Sequence, residues 1–184
     1  MNKGSIAFIF AAVVLLGVFF WGWLDWQKTN DIAKAMDEVK IEKSKVADEL
    51  MHRLYLIRQL MLKIAETAPD EDQTYMQIAS ARDVLSLEIA KWDVEKIKAI
   101  NDSLSMRMKQ LSVIQDSYPE LKNNQEIVAM QQELAAVSQK LKENFKQYNA
   151  VAEKYNSAIT KGTFERKFAK KYGFKRMELF PFPF

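Results

Sequence analysis

The chain contains no cysteine, one histidine, five glycines and four prolines among its 184 residues. The absence of cysteine excludes disulfides, thiol catalysis and a lipid-modified cysteine, and it leaves the redox compartment open. Metal binding and acid–base catalysis need several groups at set spacing, and His52, with only Asp48 and Glu49 nearby, supplies too few. No glycine-rich phosphate loop occurs. We therefore expect no enzymatic activity, no cofactor and no metal site, and we expect His52 to lie on a solvated helix face.

The N-terminus holds a long apolar run. After a short tail over residues 1–5, residues 6–24 contain no charge, and their number is close to the roughly 20 that a helix needs to cross a bilayer. Trp21, Trp23 and Trp26 suit a membrane interface. The run is longer than the roughly 7–15-residue core of a secretory signal, and no small-x-small cleavage site follows it. The sequence predicts an uncleaved transmembrane helix over residues 6–24, in contact with the lipid bilayer and in an orientation that the flanking charges leave open.

The rest of the chain predicts an all-α protein, because good helix formers dominate it. Three long helices are predicted, over residues 27–67, 70–118 and 124–160. Short loops at Pro69 and Pro119 join them, so neighbouring helices should be antiparallel. The heptad spacing slips near Trp92, and a break there, with Asp93 capping a new helix, is the open alternative that would give four segments. The transmembrane helix is thus followed by a long antiparallel helical bundle over residues 27–160.

The third helix has a continuous coiled-coil seam with Asn144 as its polar member. Asn144 is either a buried residue that sets the register or an edge residue that reaches water. A second stripe of Phe145, Ala152 and Ile159 widens the seam. The rings of Tyr148 and Tyr155 are expected in the core with their hydroxyls at the rim. A seam this wide must be buried against other helices of the chain or against another copy.

The last segment, residues 161–184, is basic and aromatic, with seven Lys or Arg and two Glu. A short helix over residues 163–172 should end at Gly173, and the prolines beyond it enforce an extended path. The phenylalanines near the end are expected to dock on the bundle or on a partner; they are Phe180, Phe182 and Phe184. Nucleic-acid binding is not expected, because no base-stacking platform accompanies the charge.

Tracing three long helices places this tail at the end of the bundle far from the apolar run. That end lies about 60 Å away at 1.5 Å per residue. The tail should then lie beside the acidic loop of residues 70–72, where Asp70 would cap the second helix, and neutralising that loop should expose the tail to proteases. The loop at Tyr118–Pro119 should lie next to the membrane.

Several segments resemble the LemA family, in the order in which that family has them. They span residues 29–39, 44–46, 50–57, 117–124, 130–134, 145–159 and 174–175, with Phe180 beyond. The loop Tyr-Pro-Glu-Leu-Lys-Asn-Asn of residues 118–124 and the pairs Tyr148-Asn149 and Tyr155-Asn156 are the most specific parts. Departures from the residues usual in the family mark a divergent member; they are Thr29, Lys43 and Arg58.

The resemblance implies a single-pass protein of the bacterial inner membrane, with a helical bundle and no catalytic motif. Relatives are often encoded beside a membrane metalloprotease, which implies a part in envelope or membrane-protein maintenance. Two functions stay open. One is a scaffold or adaptor that holds a protein partner, such as a membrane protein or that protease; the other is a structural membrane protein that assembles into homo-oligomers.

Overall fold

The computed structural model describes residues 3–183, without the side chains of residues 3–9, 11 and 164; Met1, Asn2 and Phe184 lie outside the described residues. Residues 3–183 form helices and connecting segments without a strand, which confirms the all-α prediction. The helices are α1 (Lys3–Ala65), α2 (Asp72–Lys91), α3 (Val94–Ser117), α4 (Pro119–Lys122), α5 (Gln125–Thr160) and α6 (Thr163–Tyr172).

The two longest helices, α1 and α5, pack antiparallel along most of the bundle. Ion pairs between them join early residues of one to late residues of the other, with Nζ–Oε2 distances of 2.8 Å for Lys154–Glu38 and 3.1 Å for Lys63–Glu126. Fully buried residues at heptad spacing form the α1 side of the core, as the sequence predicts; they include Leu50, Ile57 and Ile64. We call the end near Lys28 the N-terminal end of the bundle and the end near Ala65 the far end.

The break near Trp92 is real, and it reverses the chain. Trp92 has a left-handed backbone (φ 59°, ψ 43°) and ends α2. Its N–H donates to the carbonyls of Glu88 and Ile89, and the N–H of Asp93 donates to Glu88, which is the Schellman pattern of helix termination. The Asp93 carboxylate accepts from the Lys96 N–H at 3.1 Å and begins α3. The backbone hydrogen bond to Lys96 lowers the pKa of Asp93.

Because of this reversal, α2 and α3 form an antiparallel hairpin in place of one long helix. The Gln77 side chain on α2 accepts a hydrogen bond from Arg107 on α3, thirty residues later. The hairpin starts at the far end, turns at Trp92 beside Lys43 of α1 and returns to the far end. It therefore covers only the far half of α1 and α5.

Two sequence predictions about position are wrong for the same reason. The chain runs along the bundle four times, in α1, α2, α3 and α5, and not three times as predicted. The loop at Tyr118–Pro119 therefore lies at the far end, and the tail lies at the N-terminal end. The Lys171 Nζ is 3.0 Å from the Asp25 carboxylate, so the tail does not lie beside residues 70–72. The predicted cap of α2 is also wrong, because Glu71 occupies that position and makes no side-chain cap bond.

The seam of α5 is centred between the two predicted stripes. Phe145, Ala152 and Ile159 are fully buried, whereas Asn144 is half-buried at the edge. The edge reading of Asn144 is therefore the one the structure favours. Asn124 caps α5, as its carboxamide oxygen accepts from the N–H groups of Glu126 and Ile127.

Within the part of the chain that the structure describes, no helix is both long enough and apolar enough for a bilayer crossing. The transmembrane helix predicted over residues 6–24 is not confirmed and stays a prediction.

The position of the tail can be tested with cysteine pairs, since the chain has no cysteine of its own. We expect a short bifunctional thiol reagent to join the pair Asp25→Cys and Lys171→Cys. The matched pair Asp70→Cys and Lys171→Cys should not react, because α1 separates the two ends by about 60 Å. Mass spectrometry of the digested protein reads both pairs, and the opposite pattern would contradict the four-pass topology.

Candidate functional site

The most elaborate site in the described chain is the cleft on α5 that holds the segment after α6. Gly173, at φ 73°, ends α6 as predicted, in the left-handed conformation that favours glycine. Residues 174–183 then run extended back along α5 toward the Trp92 turn; we call them the C-terminal strap. Asn149 and Asn156 of α5 hold it.

Each asparagine binds the backbone of one strap residue through both ends of its carboxamide. Asn156 donates to the Met177 carbonyl at 2.8 Å and accepts from the Met177 N–H at 2.7 Å. Asn149 donates to the Phe180 carbonyl at 2.8 Å and accepts from the Phe180 N–H at 2.9 Å. Both side chains thus act on the strap as a neighbouring β-strand would, by pairing with donor and acceptor together.

The spacing of the two clamps fits the geometry of their partners. Asn149 and Asn156 are seven residues apart, which is about 10.5 Å along a helix. Met177 and Phe180 are three residues apart, which is about 10 Å along an extended chain. The match lets an antiparallel strap meet both clamps without a bulge. These asparagines belong to the Tyr-Asn pairs that the sequence marks as specific.

An aromatic cluster receives the strap at the second clamp. Phe180 is 2% exposed, and its ring centroid lies 4.3 Å from that of Phe145, 5.4 Å from that of Tyr148 and 5.8 Å from that of Trp92. The Tyr148 hydroxyl accepts from Trp92 Nε1 at 3.2 Å and donates to the Glu178 carbonyl at 3.0 Å. The cluster therefore joins the hairpin turn, α5 and the strap.

The predicted fate of the aromatic residues is confirmed in part. Phe180 docks on the bundle, whereas Phe182 is 82% exposed and Phe184 lies outside the described residues. The rings of Tyr148 and Tyr155 lie in the core, but their hydroxyls are not at the rim. The Tyr155 hydroxyl is buried without a partner in the described structure, and burial raises the pKa of both phenols.

A buried arginine is the feature that sequence reasoning missed. Arg53 is 5% exposed and donates to the Asn101 side chain and, at 2.8 Å, to the Ser105 hydroxyl. Desolvation lowers its pKa. The guanidinium ties α1 to α3 through neutral groups, beside a cavity of about 80 Å³. The signal in the sequence was a charge at a core position, three residues after Leu50.

His52 lies on the surface, and its Nε2 is 3.4 Å from the Glu133 carboxylate of α5. Glu49 does not join it, because that carboxylate is buried and pairs with Lys140. Among the described side chains, no three of the metal-ligating types come together.

The outer side of the hairpin carries an open apolar groove of about 720 Å³ between α2 and α3. Met76, Val84 and Ile100 line it, with Gln77 and Arg107 at one end. Met76 is largely exposed, so the hairpin presents apolar surface away from the core. The described lining of this groove includes two serines but no histidine or carboxylate.

The strap clamps predict a protease-sensitive variant. Asn149→Ala with Asn156→Ala removes four hydrogen bonds worth about 1 kcal/mol each, so cleavage by trypsin after Lys175 and Arg176 should accelerate by about tenfold or more. The control is Asn144→Ala, on the same helix, which makes no hydrogen bond to the described strap. Equal cleavage rates for the three proteins, followed by mass spectrometry, would rule out the clamp.

Comparison with curated proteins gives no significant match. The model of the LemA family, by contrast, matches residues 42–183, which is more than three quarters of the chain. The matched region contains the Trp92 turn, both asparagine clamps and the strap up to its last described residue. The chain belongs to the LemA family.

Proposed function

We propose that the protein is a non-enzymatic scaffold, anchored in the bacterial inner membrane by residues 6–24 as a single-pass helix. The observation that carries the anchor is the exposure of apolar side chains on the first part of α1. Leu15 and Phe19 are at least 70% exposed, and Ile32 is the first buried residue among the described side chains of α1. An apolar helix surface of this extent needs lipid or protein to cover it.

The sequence supports lipid as the cover. The uncharged run begins at residue 6, before the first described side chain at Phe10, and it is apolar on every face. A helix that is hydrophobic all round is typical of a membrane span or of the centre of a large protein. Among the described residues, α2 to α5 pack against one another and against later parts of α1, and α6 meets the run at its end, near Trp21 and Gly22.

A scaffold also needs a surface for its client. The hairpin offers one, because apolar residues on both of its helices are exposed; they are Met76, Val84, Leu87, Met106 and Val113. The strap aromatic Phe180 is not part of that surface, since it fills the bundle's own cluster. Replacing it would test folding and not partner binding. We propose that a membrane-protein client binds the hairpin and that the protein takes part in envelope or membrane-protein maintenance. A membrane metalloprotease is one candidate client.

The same exposed surface favours the second candidate, a structural protein that assembles with copies of itself. Contact between two hairpins would bury Met76 and Leu87 in an isologous interface, as is usual for dimers. The two functions predict different complexes of the hairpin: one with a different protein for the scaffold, and one of twice the chain's mass for self-assembly.

Charges placed in the apolar run test the anchor. Leu15→Asp with Leu16→Asp should move the protein into the alkali-extractable fraction of membranes, because a carboxylate at the centre of a span costs roughly 2.5–3.5 kcal/mol. The control Met76→Asp with Leu87→Asp changes two exposed apolar residues of α2 and should stay with the membrane. Wild-type protein that is itself extracted by alkali would contradict the anchor.

A photoreactive amino acid at Val84 tests the client surface in native membranes. A scaffold should give one discrete adduct with a different protein, and the adduct should disappear with Met76→Asp and Leu87→Asp. An adduct of twice the chain's mass would favour self-assembly. The absence of any adduct would overturn the hairpin as the binding surface, whereas the extraction test of the anchor is independent of it.

A further inference from the structure

The basic helix α6 lies beside the end of the apolar run. Its Lys171 pairs with Asp25 at 3.0 Å, and the Tyr172 hydroxyl donates to the same carboxylate at 2.9 Å. These hydrogen bonds lower the pKa of Asp25. At the other end of α6, Glu165 is 2.9 Å from Lys28. Together the contacts fix α6 against the part of α1 that follows the uncharged run.

Lys167 lines a pocket together with Trp21, near the end of the run. A shallow pocket of about 420 Å³ is lined by Trp21, Gly22 and Asp25 of α1 and by Lys167, Phe168 and Lys171 of α6. Tryptophans at the end of a span settle at the headgroup level of a bilayer. If residues 6–24 span the membrane, α6 is held at the headgroups.

The charges of α6 are not balanced by the bundle. Its one carboxylate, Glu165, is already paired with Lys28, and Asp25 is paired with Lys171. Three further cations are exposed and form no ion pair with a described carboxylate; they are Arg166, Lys167 and Lys170. Phe168 and Ala169 are buried on the opposite side of the helix, so packing directs the cationic side away from the core.

We propose that α6 binds anionic phospholipid headgroups, through Arg166, Lys167 and Lys170, at the surface of the membrane that holds residues 6–24. This inference rests on the proposed anchor. Attraction between a cation and an anionic bilayer fades within about a Debye length, close to 10 Å at moderate salt. The contacts with Asp25 and Lys28 keep α6 beside the run, so binding needs no unfolding of the strap or of the bundle.

The test uses the full chain reconstituted in bilayers of phosphatidylcholine with a minor fraction of phosphatidylglycerol. Spin-labelled lipids of each headgroup report the fraction that the protein immobilises. We expect immobilised phosphatidylglycerol to be favoured over phosphatidylcholine by about fivefold or more, the ratio expected from one Lys or Arg held against an anionic surface. The ratio should approach equality at about 0.5 M salt, since charge screening is then strong.

The variant Arg166→Gln, Lys167→Gln, Lys170→Gln should lose the preference. The matched control Arg58→Gln, Lys109→Gln, Lys122→Gln removes the same charge from exposed positions of other helices and should keep it. A wild-type protein that immobilises both lipids equally at low salt would overturn the α6 proposal and leave the anchor standing.

A protein that immobilises neither lipid would overturn the anchor. Sedimentation of the protein with the mixed vesicles and with vesicles of pure phosphatidylcholine then tests the basic helix alone. Binding to vesicles that contain phosphatidylglycerol, but not to pure phosphatidylcholine, would support α6, and binding to neither would overturn it.

Discussion

The packing of Trp92 is the interaction on which the rest of the structure depends. A left-handed conformation at a non-glycine residue costs on the order of 1–3 kcal/mol, and here the aromatic contacts of the indole with Tyr148 and Phe180 offset it. Because of this turn, the chain runs along the bundle an even number of times, in α1, α2, α3 and α5. An even number returns α5 to the end where α1 begins, and this brings α6 to Asp25 and lays the strap against the half of α5 that the hairpin leaves uncovered.

Turn and strap stabilise each other, because each completes the other's environment. Phe180 fills the space beside Trp92, and the Tyr148 hydroxyl bridges from the indole to the strap carbonyl of Glu178. The region matched by the LemA family begins at residue 42 and ends at residue 183, so it includes the whole of this arrangement and leaves out the apolar run. What the family match covers in this chain is thus a bundle closed by its own extended segment.

The helices were predictable from periodicity, and so was the stop at Gly173, where the residue type itself carries the signal; the cap at Asp93 was one of two alternatives that the sequence left open. The direction of α3 was not predictable, since Trp92 adopts the left-handed conformation without the glycine that usually marks such a reversal. The clamps of Asn149 and Asn156 were visible only as unexplained Tyr-Asn pairs, because their partners are backbone groups that leave no trace in sequence. Arg53 stands at a core position of the heptad, but its burial could not be predicted because its neutral partners on α3 were not known from the sequence.

The continuity of α1 has a mechanical consequence. The helix has no break between residues 3 and 65, so a tilt of its first third also tilts the rest of the helix and moves its other end sideways. If residues 6–24 span a membrane, as we propose, a tilt of about 20°, which is common for spans, would displace the far end sideways by about 20 Å over the roughly 60 Å between Asp25 and Ala65. Bilayer thickness, which affects the tilt of a span, would then determine how far the hairpin groove lies from the axis of residues 6–24. It would thereby determine which neighbouring membrane proteins the groove can contact.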